Sequence, residues 1–194
     1  MFRIIQENTV TTAQEQTDDS RFSGVLRSCT LKMPPNHKLA YRRVNASGGA
    51  ILPGVVWLGG FRSDMLSTKA ERIALAAQYD GRSFLRFDYS GHGESGGVFE
   101  EGIIGGWAGE SLEMIRELTQ GPQILVGSSM GGWIALLVAR ALAELGETAR
   151  LGGMVLIAPA VDFTEELMWA QFSDAIKQEI ETTGQWLRPT QYAP

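Results

Sequence analysis

The sequence predicts an α/β fold class: a doubly wound, mostly parallel sheet with an antiparallel start. Continuous apolar runs at 55–58, 124–127 and 154–158 have strand length and no polar alternation, the mark of strands covered on both faces. Amphipathic segments of helical length alternate with them. The resulting order, β-β-β-α-β-α-β-α-β, belongs to α/β proteins rather than to segregated α+β ones.

Residues 1–24 are polar and aperiodic and read as a loose N-terminal arm. Residues 25–33 alternate as a strand, with Cys29, Leu31 and Met33 on one face. Pro34, Pro35 and Asn36 break it. Residues 39–44 make a second short strand, and the pair reads as a hairpin with His37 in its turn. The buried strand 55–58 is followed by the loop GGFRSDMLS and a helix over 68–79, where Ala70, Ile73, Ala74 and Ala77 recur at helical spacing. A strand over 83–89 follows, then a Gly-rich loop. A helix over 107–118 turns Leu112, Ile115 and Leu118 inward. The strand 124–127, a strongly apolar helix over 132–145 and the strand 154–158 complete the βα alternation. After Pro159 the pattern changes to helices at 163–168 and 172–183, with Trp169 and Trp186 predicted on the surface. The domain plan is therefore an arm at 1–24, a core at 25–160 and a helical cap segment at 161–194.

Composition narrows the function classes. The chain has 194 residues, enough for one domain with a sizeable core, of which 44% are apolar and 20% charged. A net charge of −5 gives no electrostatic footprint for nucleic acid or an anionic membrane surface. The single cysteine, Cys29, rules out an internal disulfide and a Cys-rich zinc site, and reads as a strand residue. No cofactor or metal site is expected. The first residues lack a signal-peptide apolar core, and Glu7, Glu15, Asp18 and Asp19 do not suit a transit peptide. No apolar run is long enough to span a bilayer, so the expectation is a cytoplasmic protein.

The chemistry centres on Gly127-Ser128-Ser129-Met130-Gly131, a G-x-S-x-G run between a buried strand and an apolar helix. That context demands a sharp turn that projects the middle residue above the sheet. Small residues two before and two after it let strand and helix approach closely. Spacing makes Ser129, not Ser128, the candidate nucleophile. The helix N-terminus behind it favours negative charge on a reacting oxygen. A second loop, Leu58-Gly59-Gly60-Phe61, follows the third strand. With an oxyanion hole built from this loop and from the residue after the nucleophile, the donors are the backbone N–H groups of Phe61 and Met130.

The segments WLGGFRSDMLSTKA, FLRFDYSGHGESGG, VGSSMGGWIAL and LIAPAVDFTEELMW together resemble the α/β-hydrolases. Within that superfamily they look most like the branch of mitochondrial acyl-glucuronide esterase and palmitoyl-protein thioesterase, with its bacterial relatives. The resemblance runs from about residue 52 to the chain end. It implies hydrolysis of small-molecule carboxylic esters or thioesters through an acyl-enzyme on Ser129.

A serine needs a base. The chain has two histidines, His37 and His92, and both precede Ser129, against the superfamily order of Ser, acid, His. In relatives the histidine of the Gly91-His92-Gly93 loop is non-catalytic, so His92 is not expected to be the base. Asp162 stands where some lipases place the acid, but a loop or helix-cap role suits it better. The chain never reaches a seventh strand, and 154–158 would become a long apolar edge, which proteins avoid exposing. The expectation is a hydrolase truncated after its sixth strand and the start of its cap, open to self-association along that edge and incomplete in its triad.

Three rival readings stay in view. Gly91-His92-Gly93-Glu94-Ser95-Gly96 fits G-x-G-x-x-G, but on the second βα unit and with no helix opening at its third glycine, so it reads as a flexible loop at the site mouth. Asp64 and Lys69 read as a solvated pair rather than as props of the oxyanion loop. Leu167, Trp169, Phe172 and Trp186 either line an acyl pocket or pack on the sheet. As a whole, the chain is a serine hydrolase, a non-catalytic binding or interaction domain of the same fold or, more weakly, a perhydrolase.

Overall fold

The computed structural model describes residues 29–33, 37–47 and 52–186. The predicted arm and the first residues of the first strand lie outside them. Strand β1 (Cys29–Met33) and strand β2 (His37–Val44) form the expected antiparallel hairpin, in register from Cys29↔Tyr41 to Met33↔His37. His37 therefore opens β2 and pairs with Met33 instead of sitting in a longer turn, because the ladder runs to the last residue before the prolines.

The hairpin joins one six-stranded sheet in the order β1-β2-β4-β3-β5-β6. Strands β3 (Gly54–Leu58), β4 (Phe84–Phe87), β5 (Gln123–Ser128) and β6 (Leu151–Ile157) are mutually parallel, and β2 meets β4 antiparallel. Parallel neighbours need crossovers, which here are helices. Helix α1 (Thr68–Tyr79) covers one face through Ala70, Ala74 and Ala77, packed against Val55, Trp57, Phe84 and Val126. Helices α2 (Ile104–Leu118) and α3 (Met130–Glu144) cover the other, where Met114, Ile115, Ile134 and Val138 meet Val56, Leu58, Leu85 and Leu125. Alternate residues of β3 thus feed two cores, which is why its run is apolar at every position. Each fully buried large side chain contributes about 1.5–3 kcal/mol, and Trp57, Phe84, Leu85, Leu125 and Met130 are all of that kind.

Strand β6 departs from the expectation of a buried strand and matches that of an open edge. It lies at the end of the sheet, and Met154 and Val155 are 39% and 49% exposed. Beyond it the chain forms a π-helical segment (Phe163–Met168), a 3₁₀ turn (Trp169–Gln171) and helix α4 (Asp174–Thr183). Ser173 caps α4 by accepting from the Ile176 N–H. Trp169 and Trp186 are half-buried rather than on the surface, because Phe172 stands edge-on to both, 6.4 and 5.1 Å away between ring centres.

The tightest backbone approach is between α3 and the end of β3. A Cβ on Gly131 would lie 2.1 Å from the Leu58 carbonyl oxygen and 2.5 Å from that of Gly59. Gly109, inside α2, has nothing within 4 Å. Gly131→Ala is expected to destabilise the fold by roughly 1–3 kcal/mol or more, since backbone must move. Gly109→Ala should stabilise it by about 0.5–1 kcal/mol through helix propensity. Urea unfolding of the two variants checks both signs.

Candidate active site

Ser129 joins β5 to α3 with φ 55° and ψ −120°, a conformation that side-chain-bearing residues rarely adopt. Neighbouring backbone holds it there. Its N–H donates to Ile157 O at 3.0 Å, and its carbonyl accepts from the N–H groups of Gly132 and Ala160 at 2.9 and 3.0 Å. A Cβ on Gly127 would fall 2.3 Å from Gly131 O, and one on Gly132 would fall 2.7 Å from Pro159 Cβ. The glycines around Ser129 are therefore required by space as well as by the turn.

The loop after β3 comes to the same place. A Cβ on Gly60 would lie 3.5 Å from Ser129 Cβ. Gly60 O accepts from Ser63 N at 3.1 Å, closing a turn over 60–63 with Arg62 at φ 54° and Phe61 at its leading corner. Met130 is the first residue of α3, and the opening N–H groups of a helix have no partner within it. The fold thus gathers the three predicted site residues, Ser129, Phe61 and Met130, around one turn. Phe61 is 39% exposed, and its ring lies edge-on to Phe99 (5.1 Å) and to Phe163 (5.8 Å). Phe163 in turn meets Trp133 at 5.9 Å, which makes an aromatic wall beside Ser129. Leu167, at 55% exposure, takes no part in it, and Trp169, Phe172 and Trp186 form a separate cluster.

One segment, from Arg86 to His92, holds the loop after β3. Tyr89 Oη donates to Gly59 O at 3.3 Å. Asp88 Oδ1 accepts from Met65 N at 2.7 Å, and Arg86 Nη1 donates to Met65 O at 3.1 Å. His92 Nε2 accepts from Arg62 N at 3.3 Å, which leaves its proton on Nδ1, 3.2 Å from Ser90 O. Both ring nitrogens are engaged, and the ring is buried among Tyr89, Phe99 and Trp107. His92 is thus a structural prop, as the residue order suggests. Burial holds its pKa below the ordinary value, against the bond to Ser90.

The Gly-rich loop after β4 is pinned rather than flexible. Gly91 N donates to Gly96 O and Gly96 N to Lys38 O, at 3.0 and 2.8 Å. Ser95 Oγ donates to Asp88 O, and Arg42 Nη2 reaches both Glu94 carboxylate oxygens at 2.8 and 2.9 Å. No helix opens at Gly96; a 3₁₀ turn (Phe99–Glu101) precedes α2. Asp88 Oδ2 accepts from Glu94 N at 2.9 Å, so this carboxylate joins the two loops. Burial raises its pKa to about 6, against the two backbone donors that favour the charged form.

The remaining acidic and basic candidates part company. Asp64 accepts from Leu66 N at 2.8 Å, and Lys69 Nζ donates to Ser128 Oγ at 2.7 Å, so the expected solvated pair gives way to two separate bonds. Asp162 has φ 54°, and its carbonyl rather than its side chain bonds the following turn, through Glu165 N and Glu166 N. The residues missed in the sequence are Asp88, Tyr89 and the Lys69–Ser128 pair. The signal for the first was a polar pair, Arg86 and Asp88, at the end of an otherwise apolar strand.

A doubly wound sheet with a left-handed serine turn after its fifth strand defines the α/β-hydrolase class. The chain belongs to the alpha/beta hydrolase family, whose model matches residues 50–193. It is 37% identical over 163 residues to the mitochondrial palmitoyl-protein thioesterase ABHD10 of Bos taurus, covering 84% of this chain and 50% of that one, and 36% identical to its Homo sapiens counterpart over the same shares. The chain thus spans about half the length of the curated relatives it matches. Among solved structures it resembles a putative hydrolase from Agrobacterium vitis (TM-score 0.76, 37% identity, 87% of this chain and 65% of that one). The mouse alpha/beta hydrolase domain-containing protein 10 is also similar (TM-score 0.72, 32% identity, 86% and 62%).

Two of the buried titratable groups, Asp88 and His92, give opposite pH signatures. The folded-state pKa of Asp88 lies above its ordinary 3.8, so its stability contribution is fully present below that pH and lost as pH rises through about 6. The excess of wild-type unfolding free energy over Asp88→Asn should therefore shrink between about pH 4 and pH 6. The folded-state pKa of His92 lies below its ordinary 6.5, so its contribution is present above 6.5 and lost as pH falls. The excess over His92→Phe should grow as pH rises toward that value, and at neutral pH it should be about 1–3 kcal/mol for the orphaned Arg62 N–H. Denaturant titrations of the three proteins across pH 4–8 read both slopes.

Proposed function

We propose that this chain carries the nucleophile of a serine hydrolase that cleaves carboxylic esters or thioesters through an acyl-enzyme on Ser129. The observation that carries the reading is the Ser129 turn: a non-glycine residue at φ 55°, enforced by three glycines and packed against the Gly59-Gly60-Phe61 loop. Strain kept at one residue by its whole surroundings is characteristic of functional positions.

In this reading Ser129 Oγ attacks the acyl carbonyl and gives its proton to a base. The oxyanion takes hydrogen bonds from the N–H groups of Phe61 and Met130, each worth about 2.7–4 kcal/mol in such holes. The base returns the proton to the departing alcohol or thiol, and water then releases the acid. The aromatic wall of Phe61, Phe163 and Trp133 offers apolar surface to the acyl group. The thioesterase names of the relatives support acyl thioesters as the first substrates to try.

The base is not His92, whose nitrogens are both engaged, and no histidine follows Ser129 in the sequence. The proposal therefore assigns the acid and the base to chain outside these 194 residues, along the open edge of β6. The second reading, a non-catalytic domain that binds a ligand or partner, is favoured by that same missing histidine.

A fluorophosphonate probe separates the two. Protein expressed from the complete reading frame should be labelled, and Ser129→Ala should lose at least about 10³ of the labelling rate, since nucleophile removal is among the costliest catalytic losses. A folded protein that takes no label would leave only the binding-domain reading.

A further inference from the structure

Ser128 stands on the α1 side of the sheet, two residues beyond Val126, which lies in the core under α1. Its hydroxyl is at a strand end only 3% exposed, where an unpartnered polar group would be costly. Lys69 Nζ, 59 residues away in sequence, supplies the partner at 2.7 Å. Lys69 is the second residue of α1, in the first helical turn. There the helix dipole opposes a positive charge, so helix stability does not explain a lysine at that place. What its ammonium does reach is the residue immediately before Ser129. Ser128 is also the last residue of β5 paired with β6, opposite Ile157, the same residue whose carbonyl holds Ser129 N.

We propose that Lys69 is a positioning residue for Ser129, acting through Ser128. The charge-assisted bond fixes the Ser128 side chain, and with it the entry of the backbone into the strained turn. It also holds the Lys69 ammonium at the residue that precedes Ser129 in the chain. Lys69 touches no reacting atom in this arrangement and transfers no proton. The inference rests on Ser129 being the nucleophile.

The test is the saturation kinetics of fluorophosphonate labelling in the protein expressed from its complete reading frame, for wild type, Lys69→Met, Lys69→Arg, Ser128→Ala and the Lys69→Met/Ser128→Ala double variant. Lys69→Met should lower the maximal labelling rate about tenfold and leave the half-saturating probe concentration unchanged. Ser128→Ala should do the same, and the double variant should be no slower than the slower single one, because the two act as one unit. Lys69→Arg should recover more than half of the lost rate. Melting temperatures within a few degrees of wild type exclude a folding defect as the cause. A wild-type maximal rate in Lys69→Met, or losses that multiply in the double variant, would overturn the proposal while the Ser129 reading stands. Absence of label on wild type would remove the Ser129 reading and this proposal with it.

Discussion

The structure hangs on a contact between two stretches of backbone: the first turn of α3 lies directly against the carbonyls that end β3. At Gly131 the distances leave no room for even a methyl group. The approach has two consequences. It forces the residue between β5 and α3 into a left-handed turn, because the chain must reverse within one residue to reach a helix seated so low. It also brings the loop that leaves β3 beside that residue, because the loop begins where the helix touches. A strained serine and a glycine-rich loop are thus two results of one packing decision. Strain of this kind costs about 1–3 kcal/mol and persists only where surrounding structure overdetermines it. Here Ile157, Gly132 and Ala160 supply three hydrogen bonds to the Ser129 backbone.

Close packing alone does not fix a loop with two glycines and a turn residue at positive φ. That work falls to the segment from Arg86 to His92, which reaches the loop at Gly59, Arg62 and Met65 through one phenol, one imidazole, one carboxylate and one guanidinium. These side chains are buried, where polar groups seek partners, and each of the four finds at least one on the backbone of this loop. The arrangement has an electrostatic cost, visible in the raised pKa of Asp88 and the lowered pKa of His92. Buried polar groups that bond backbone rather than one another set geometry more than they add stability.

The elements were legible in the sequence because their signals are local. The apolar runs of β3 and β5 and the period of α1 put those elements within a residue or two of where they lie. The Ser129 turn was legible too, since its glycines flank it in sequence. What stayed hidden was long-range. Nothing near Lys69 in sequence points to Ser128, and the nearby Asp64 drew the pairing instead. His92 was recognised as non-catalytic from residue order, but its hold on Arg62 N depends on two loops meeting in space. The Gly91 to Gly96 loop looked flexible because glycines permit motion; Lys38, Ala40 and Arg42 of β2 tie it down. Strand β6 shows the converse. Its sequence is that of a covered strand, while its place in the sheet leaves Met154 and Val155 exposed.

That mismatch at β6 bears on the proposed site. A parallel strand that is apolar on both faces is suited to a sheet covered on both faces. An exposed apolar edge is a pairing surface, whether for further strands of the same protein or for another copy. The edge lies next to the Ser129 turn, because Ile157 at the end of β6 accepts the Ser129 N–H. In a parallel sheet, chemistry gathers beyond the carboxyl ends of the strands. Residues leaving the carboxyl end of a strand added parallel to β6 would therefore emerge at the same end of the sheet as Ser129. A strand paired parallel to β6 on its open side would thus end beside the proposed nucleophile, where the proposal places the acid and the base.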